Sequence, residues 1–375
     1  MKILYVSTLS NTINAFMIPH IKLLIEQGHH VDVACNIDRD ISPSLTDSGC
    51  EVFDIKFQRS PISKHNYVAY KKLKKLIQEK GYEIVHTHTP VASICVRLAC
   101  RNMKNVRVMY TAHGFHFFRG GPIKNWLLYY PIEYWLSRYT DVLITINKED
   151  YNRAKRVFKA KSTKYIPGVG LDTKKISQVI VNKLVKRREL DIEENSFVLL
   201  SVGELNKNKN HETVIKAVAK LNNPNIIYII CGQGALDSYL RNLSKKLGVD
   251  KQVKLLGYRK DIADICKAAD VFVFPSRREG LGMAALEAMA SGLPIITSNV
   301  HGIVDYSIDS KTGYCCSPLD VNGFAKAIEK LKNNESLRNK MGQENIELVE
   351  EFNIDSSLVY LLDAYQIAND NPKGH

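Results

Sequence analysis

Two glutamates eight residues apart, Glu279 and Glu287, stand on either side of Gly280 and Gly282 in the stretch 275–294, PSRREGLGMAALEAMASGLP. An ionised carboxylate only accepts hydrogen bonds, and its two oxygens suit a pair of neighbouring sugar hydroxyls, such as the 2′ and 3′ hydroxyls of a ribose. From about Leu281 the residues are strong helix formers. The N-terminus of such a helix offers unpaired backbone N–H groups and a positive dipole end, which suit a phosphate. Gly280 and Gly282 bring no Cβ to block that approach. One ligand with a diphosphate in its middle and a sugar at each end would engage both carboxylates. The spacing alone equally suits a loop glutamate and a solvated helix glutamate.

The elements that must hold these residues repeat through the chain. The apolar run 271–274 reads as a buried parallel strand, Gly292 as a helix C-cap and 295–297 as the next strand. Strands are expected at 2–8, 31–35, 52–55, 83–86, 106–111 and 142–146, with helices at 14–27, 66–80, 90–100 and 148–158 between them. Residues 173–194 read as a polar linker with some helix. The rhythm then restarts with strands at 197–203, 226–231 and 253–256 and ends on a helix at 355–367. Alternating β and α elements imply an α/β fold of two Rossmann-like units with parallel sheets. The loop after the first strand, SNTINAF, has no glycine fingerprint, so nothing there argues for a dinucleotide.

Other residues fall at the edge where open α/β sheets bind ligands, the C-terminal ends of the strands. His86, His88, His113 and His116 all lie there. Four histidines raise a metal site, but no carboxylates or cysteines cluster beside them. The loop ELNKNKNH at 204–211 brings Lys207 and Lys209 to the corresponding edge of the second half. The run 119–139 holds both tryptophans, Trp126 and Trp135, with Tyr130, Arg119, Lys124 and other aromatics. Amphipathic rings beside basic residues suit a membrane interface or a lipid-linked ligand; a helix packed on the sheet explains them equally, and both can hold, one per face.

A chain of 375 residues with 45% apolar and 24% charged residues suits a two-domain globular protein. The eight cysteines form no C-x-x-C pair and sit mostly in apolar runs, which points to buried reduced thiols. No signal peptide or membrane-spanning run is expected. The net charge of +13 is uneven: residues 1–172 carry 25 basic against 14 acidic residues, residues 173–375 carry 27 against 25. The basic half could face an anionic membrane surface or anionic substrate; no nucleic-acid recognition motif accompanies it. The lysines at 71, 72, 74 and 75 could touch lipid head groups or form a solvated face.

The string RREGLGMAALEAMASGLPII resembles the E-x7-E signature of family-4 retaining glycosyltransferases of the GT-B fold. HTHTP, YTAHGFHF, the run from 125 to 155 and GELNKNKNH extend the likeness over nearly the whole chain, to capsular and exopolysaccharide glycosyltransferases of the EpsD/CapM type. The resemblance implies an acceptor-binding domain at 1–172, a UDP-sugar-binding domain at 173–355, and a helix at 356–375 crossing back to the first domain. It implies a UDP-sugar donor, no metal or cofactor, and a sugar on undecaprenyl diphosphate as acceptor at the inner face of the cell membrane. Glu279, His113 and Lys209 become the catalytic groups. Gly203, Lys207, Lys209, Gly232, Arg278, Glu279, Gly280, Leu281, Gly282 and Glu287 become the donor site. His116, Arg119, Lys124, Trp126, Tyr130 and Trp135 become the acceptor or membrane face. One departure stands out: Glu204 occupies the place of the family's arginine, so Lys207 or Arg278 is expected to supply the second positive charge. A non-catalytic nucleotide-sugar binder and a UDP-sugar epimerase are the rival readings.

Overall fold

A computed structural model gives the arrangement of residues 1–370, which fall into two compact units: Met1–Gly170 with the chain from Asp355 onward, and Leu171–Ile354. In the first unit seven parallel strands form one sheet: β1 (Lys2–Leu9), β2 (His30–Asn36), β3 (Val52–Asp54), β4 (Ile84–His88), β5 (Arg107–Ala112), β6 (Val142–Thr145) and β7 (Ser162–Tyr165). Their order is β3-β2-β1-β4-β5-β6-β7. In the second, β8 (Phe197–Val202), β9 (Ile226–Cys231), β10 (Val253–Gly257), β11 (Val271–Phe274), β12 (Ile295–Ser298) and β13 (Gly313–Cys316) run in the order β10-β9-β8-β11-β12-β13. Both orders reverse direction once, between β1 and β4 and between β8 and β11. A crevice opens at such a switch point beyond the strands' carboxyl ends, and open α/β sheets bind ligands there.

The sheet of the first unit has two unlike faces, because successive side chains alternate. Leu4, Val6 and Val85 pack with Leu73, Ala92 and Val96 in an apolar core. Tyr5, Ser7, His86, His88 and Thr111 belong to the other register and are buried polar groups. The helix Ile354–Asp370 packs in this unit, with Tyr365 hydrogen-bonded to His86 at 2.8 Å and Ser357 donating to the Gly168 carbonyl. Residues 371–375, the end of the helix expected at 356–375, lie outside the described residues.

Four elements depart from the expected pattern. β7 and β13 are short edge strands with only one ladder partner each; β7 is half-exposed along its length, and β13 opens on a glycine. The polar stretch 173–194 is anchored rather than loose. Its helix Lys183–Glu189 buries Arg187, which donates to Asp270 and to the carbonyls of Ala268, Glu194 and Ser196. Charge there is paired inside the fold, so polarity misled the expectation of a linker. The loop after β1 becomes a short helical turn followed by a π-helical turn, Ile13–Met17, which leads into the helix Ile18–Glu26.

Candidate active site

In the second unit, the loops after β8 and β11 are laced together. Asn208 donates to the carbonyl of Arg278, and the Arg277 amide donates back to the carbonyl of Asn208 at 2.8 Å. Asn210, in the left-handed conformation, donates to the carbonyls of Pro275 and Pro318. Asn206 caps the turn by accepting from the Lys209 amide. These asparagines escaped the sequence reading, although three of them alternate in NKNKN. They bring Lys209 Nζ to 2.7 Å from Glu279 Oε1, with the ammonium 4.8 Å from the Phe274 ring centre. Both side chains are largely enclosed, at 20% and 14% exposure. Enclosure strengthens their attraction at the cost of desolvation, and the pair fixes both groups in place.

Glycines leave room around this pair. A Cβ on Gly203 would press on the Lys209 side chain at 3.0 Å, and one on Gly232 would overlap the Gly203 carbonyl at 1.9 Å. Gly282 precedes the helix Met283–Ala290 with φ of 99°, where a Cβ would strike the Phe274 ring at 2.6 Å. Leu281 is buried beside it. Glu287 is half-buried on that helix, and burial holds its carboxyl above the usual carboxylate range. No hydrogen bond to the Glu287 carboxylate is present among the described residues. Its oxygens are thus poised for hydroxyl donors.

Of the two basic residues expected to replace the missing arginine, Lys207 is exposed and lines a separate cavity of about 430 Å³ with Glu212, Tyr239 and Arg277. That cavity contains neither Lys209 nor Glu279 among its lining residues. Arg278 is half-buried directly before Glu279. Glu204 is exposed and accepts from Asn206. His211, missed by the sequence reading, lies buried under the loop. Its Nδ1 is 3.2 Å from the Tyr228 hydroxyl, and burial lowers its pKa to about 4, so it is a neutral support.

At the switch point of the first unit, aromatic rings form a continuous stack. Tyr5, His86, His88 and His113 follow one another with ring centres 4.9, 4.3 and 5.3 Å apart. His86 bonds Tyr365 through Nδ1 and Thr111 through Nε2, both at 2.8 Å. His88 Nδ1 and His113 Nε2 lie 3.1 Å apart. Burial lowers the pKa of His113 and of His20 to about 4 and holds His86 and His88 well below the ordinary value. The stack is therefore neutral at pH 7. Thr89, immediately after β4, holds φ at 66°, a costly conformation for a β-branched residue. Its hydroxyl lies 2.7 Å from that of Thr8. This strained position carried no signal in the sequence beyond the proline that follows it.

The aromatic run forms the helix Ile123–Ser137, which divides its residues between two faces. Trp126, Tyr129 and Tyr130 pack on Phe115, Phe117 and Phe158. Trp126 also donates to the Phe118 carbonyl and lies under the Arg153 guanidinium. Arg119, Lys124 and Trp135 are exposed, in the company of Ile123, Leu127 and Leu128. His116 stacks on Tyr129 with centres 4.6 Å apart. Of the residues expected to face acceptor or membrane, Trp126 and Tyr130 thus belong to the packed side of the helix. Among the described residues no helix is long and apolar enough to cross a membrane.

Two parallel doubly wound sheets in one chain, the second with a lysine–glutamate pair and a glycine-lined helix start at its switch point, define a GT-B glycosyltransferase. Residues 182–348 match the family described as Glycosyl transferases group 1, and residues 2–147 match Glycosyl transferase 4-like. The chain belongs to this glycosyltransferase family. It is 38% identical over 370 residues to the EpsD protein of Bacillus subtilis (strain 168), covering 97% of this chain and 96% of that one. It is 32% identical over 300 residues to the UDP-Gal:alpha-D-GlcNAc-diphosphoundecaprenol alpha-1,3-galactosyltransferase of Escherichia coli, covering 78% and 77%. Among solved structures, HepE of Anabaena in complex with UDP superimposes with a TM-score of 0.79 at 18% identity, over 98% of this chain and all of that one.

Proposed function

We propose that the protein transfers a sugar, an N-acetylated amino sugar by family resemblance, from a UDP-sugar to a saccharide on undecaprenyl diphosphate. The setting is capsular or exopolysaccharide assembly at the inner face of the cell membrane. The observation that carries the reading is the Lys209–Glu279 pair beside Gly203, Gly232 and the helix start at Gly282. The relative acting on a diphosphoundecaprenol-linked sugar supports the acceptor class.

Glycosyl transfer passes through an oxocarbenium-like state while negative charge grows on the leaving diphosphate. Lys209, Arg278 and the N–H groups at the start of the helix Met283–Ala290 meet that charge, which removes the need for a metal. Glu279 orients the donor sugar through its hydroxyls, and Glu287 accepts from the ribose. His113, neutral, stands at the ligand edge of the first unit. The acceptor oxygen bonds to the anomeric carbon on the face the phosphate leaves. The bond to the phosphate oxygen breaks, and that oxygen takes the acceptor's proton, so configuration is retained.

The test is UDP release from a panel of UDP-sugars with an undecaprenyl-diphosphate-linked monosaccharide. Wild type releases UDP with or without EDTA, and Glu279→Ala loses at least about 10²-fold in kcat, the scale of a lost transition-state contact. Full activity of Glu279→Ala would overturn the site assignment. Trapping a covalent glycosyl-enzyme would overturn the same-face route. Absence of UDP release from every donor would leave a nucleotide-sugar binder.

A further inference from the structure

The first unit contains a groove of about 520 Å³ that the donor chemistry leaves unused. One end lies at the switch point, where Thr8 and Thr89 share a hydroxyl contact. The groove's lining is mainly apolar and includes Ile62, Ile94, Leu128 and Ile132. Three of these four side chains face solvent, Ile62 at 89%, Leu128 at 53% and Ile132 at 37% exposure. An exposed apolar patch on a soluble domain marks an interaction site. Ile123 and Leu127 continue the apolar surface along the same helix, at 77% and 74% exposure.

Charge decides what kind of apolar ligand fits. Arg59 lines the groove and has no carboxylate partner among the described residues. The one carboxylate in the lining, Glu133, is neutralised by Arg97 through two bonds of 2.8 and 3.2 Å. The groove thus offers a free guanidinium and no free negative charge. It combines two threonine hydroxyls at the ligand edge, a cation and a mainly apolar wall. A free sugar has no use for the apolar wall. A bilayer surface rests on a convex face and does not fill a concave volume of this size.

We propose that this groove seats the first isoprenoid units of a lipid diphosphate, with the diphosphate at Arg59 and the linked saccharide directed to Thr8 and Thr89. The inference rests on the reading that the acceptor is lipid-linked. It adds that this protein grips the lipid chain itself, through Ile94 and Leu128, as well as the sugar it carries.

The test is calorimetric binding of farnesyl diphosphate to the full chain, with inorganic diphosphate and farnesol as head-only and chain-only controls. Farnesyl diphosphate is expected to bind at least about tenfold more tightly than either control, a difference of ~1.4 kcal/mol. Ile94→Trp, which fills the groove, and Leu128→Asp, at a solvent-exposed position, remove that advantage. Arg59→Ala weakens farnesyl diphosphate and leaves farnesol unchanged. UDP binding stays at the wild-type value in all three variants, which reports an intact fold. Equal binding of inorganic and farnesyl diphosphate, or groove variants that bind farnesyl diphosphate like wild type, would overturn the proposal. Chain-dependent binding without sugar transfer to a lipid acceptor would retain the groove and refute the acceptor reading. Transfer with a KM independent of chain length would do the reverse.

Discussion

Under the proposed reading, Glu287 shows what a donor site costs the free protein. Its carboxyl is half-buried with its pKa raised by burial, so ionisation is disfavoured in the folded state relative to the unfolded one. Above both pKa values the group lowers stability, and the loss is relieved as pH falls through the raised folded value. Glu287→Gln is therefore expected to raise the melting temperature at pH 7 while weakening UDP binding, because the ribose loses its charged acceptor. The wild-type affinity for UDP should decline with acidification from a pH above the ordinary carboxylate range, and the variant should lack that decline. Titrations of UDP at several pH values check both. If the variant binds UDP as well as wild type at pH 7, Glu287 has no ribose contact. Both carboxylates were legible from spacing and family likeness. The partner that fixes Glu279 was not, because Lys209 lies 70 residues away in sequence and only the folded asparagine lacing brings the two together.

At the scale of elements, the histidine stack is the less expected feature. Both faces of a parallel sheet are usually apolar, yet one register of β1, β4 and β5 carries Tyr5, His86, His88 and Thr111. The sequence places the histidines at the strand ends; it does not show that they stack, or that Tyr365 from the returning helix closes the stack. That contact spans 279 residues and has no local pattern. Regular elements were legible wherever an apolar period was strong, as in Pro90–Cys100 and β11. The edge strands β7 and β13 and the paired charges around Arg187 were not, although the edge strands β3 and β10 were. The stack makes a pH prediction. His20 and His113 are held neutral by burial at about 4, and His86 and His88 well below the ordinary value, while the unfolded chain titrates near ~6.5. The unfolded state then binds more protons below that value, so stability is full above it and falls as pH drops, by up to about 1.4 kcal/mol per unit for each histidine. Urea midpoints measured from pH 7.5 to 5 should fall steeply. Tyr365→Phe should lower the midpoint at pH 7 by removing the His86 partner. A flat midpoint across that range would mean the rings are solvated and protonatable in the native state. The same packing alters the expectation for Trp126. Its replacement by Ala should destabilise the fold through lost contacts with Phe117 and Arg153, whereas Trp135 can be replaced with little loss of stability.

At the scale of the whole molecule, the basic surplus lies in one half of the chain, and that half also carries exposed apolar side chains. Residues 1–172 carry the 25 basic and 14 acidic residues that make up most of the net +13. Lys71, Lys72, Lys74 and Lys75 are all exposed on the helix His65–Lys80, and of the four Lys75 forms an ion pair, with Glu79 at 3.5 Å. The exposed apolar residues Ile62, Tyr67, Val68, Ile123 and Leu127 belong to the same unit. Each basic residue close to an anionic bilayer contributes about 1 kcal/mol, and the contribution decays within a Debye length of about 8 Å at physiological salt. Buried apolar side chains add a part that salt does not screen. Binding to vesicles of anionic phospholipid should therefore weaken as salt rises from 50 to 500 mM, to a plateau above zero, and neutral vesicles should show the plateau alone. Replacing the four lysines by Gln should remove most of the salt-dependent part and leave the plateau. Replacing Leu127 and Ile123 by Ser should lower the plateau and leave the salt slope. Vesicle sedimentation across a salt series separates the two contributions. Binding that is equal on neutral and anionic vesicles at low salt would show that the basic surplus serves solubility or an anionic substrate instead, since a face that meets the bilayer with these lysines must respond to its charge.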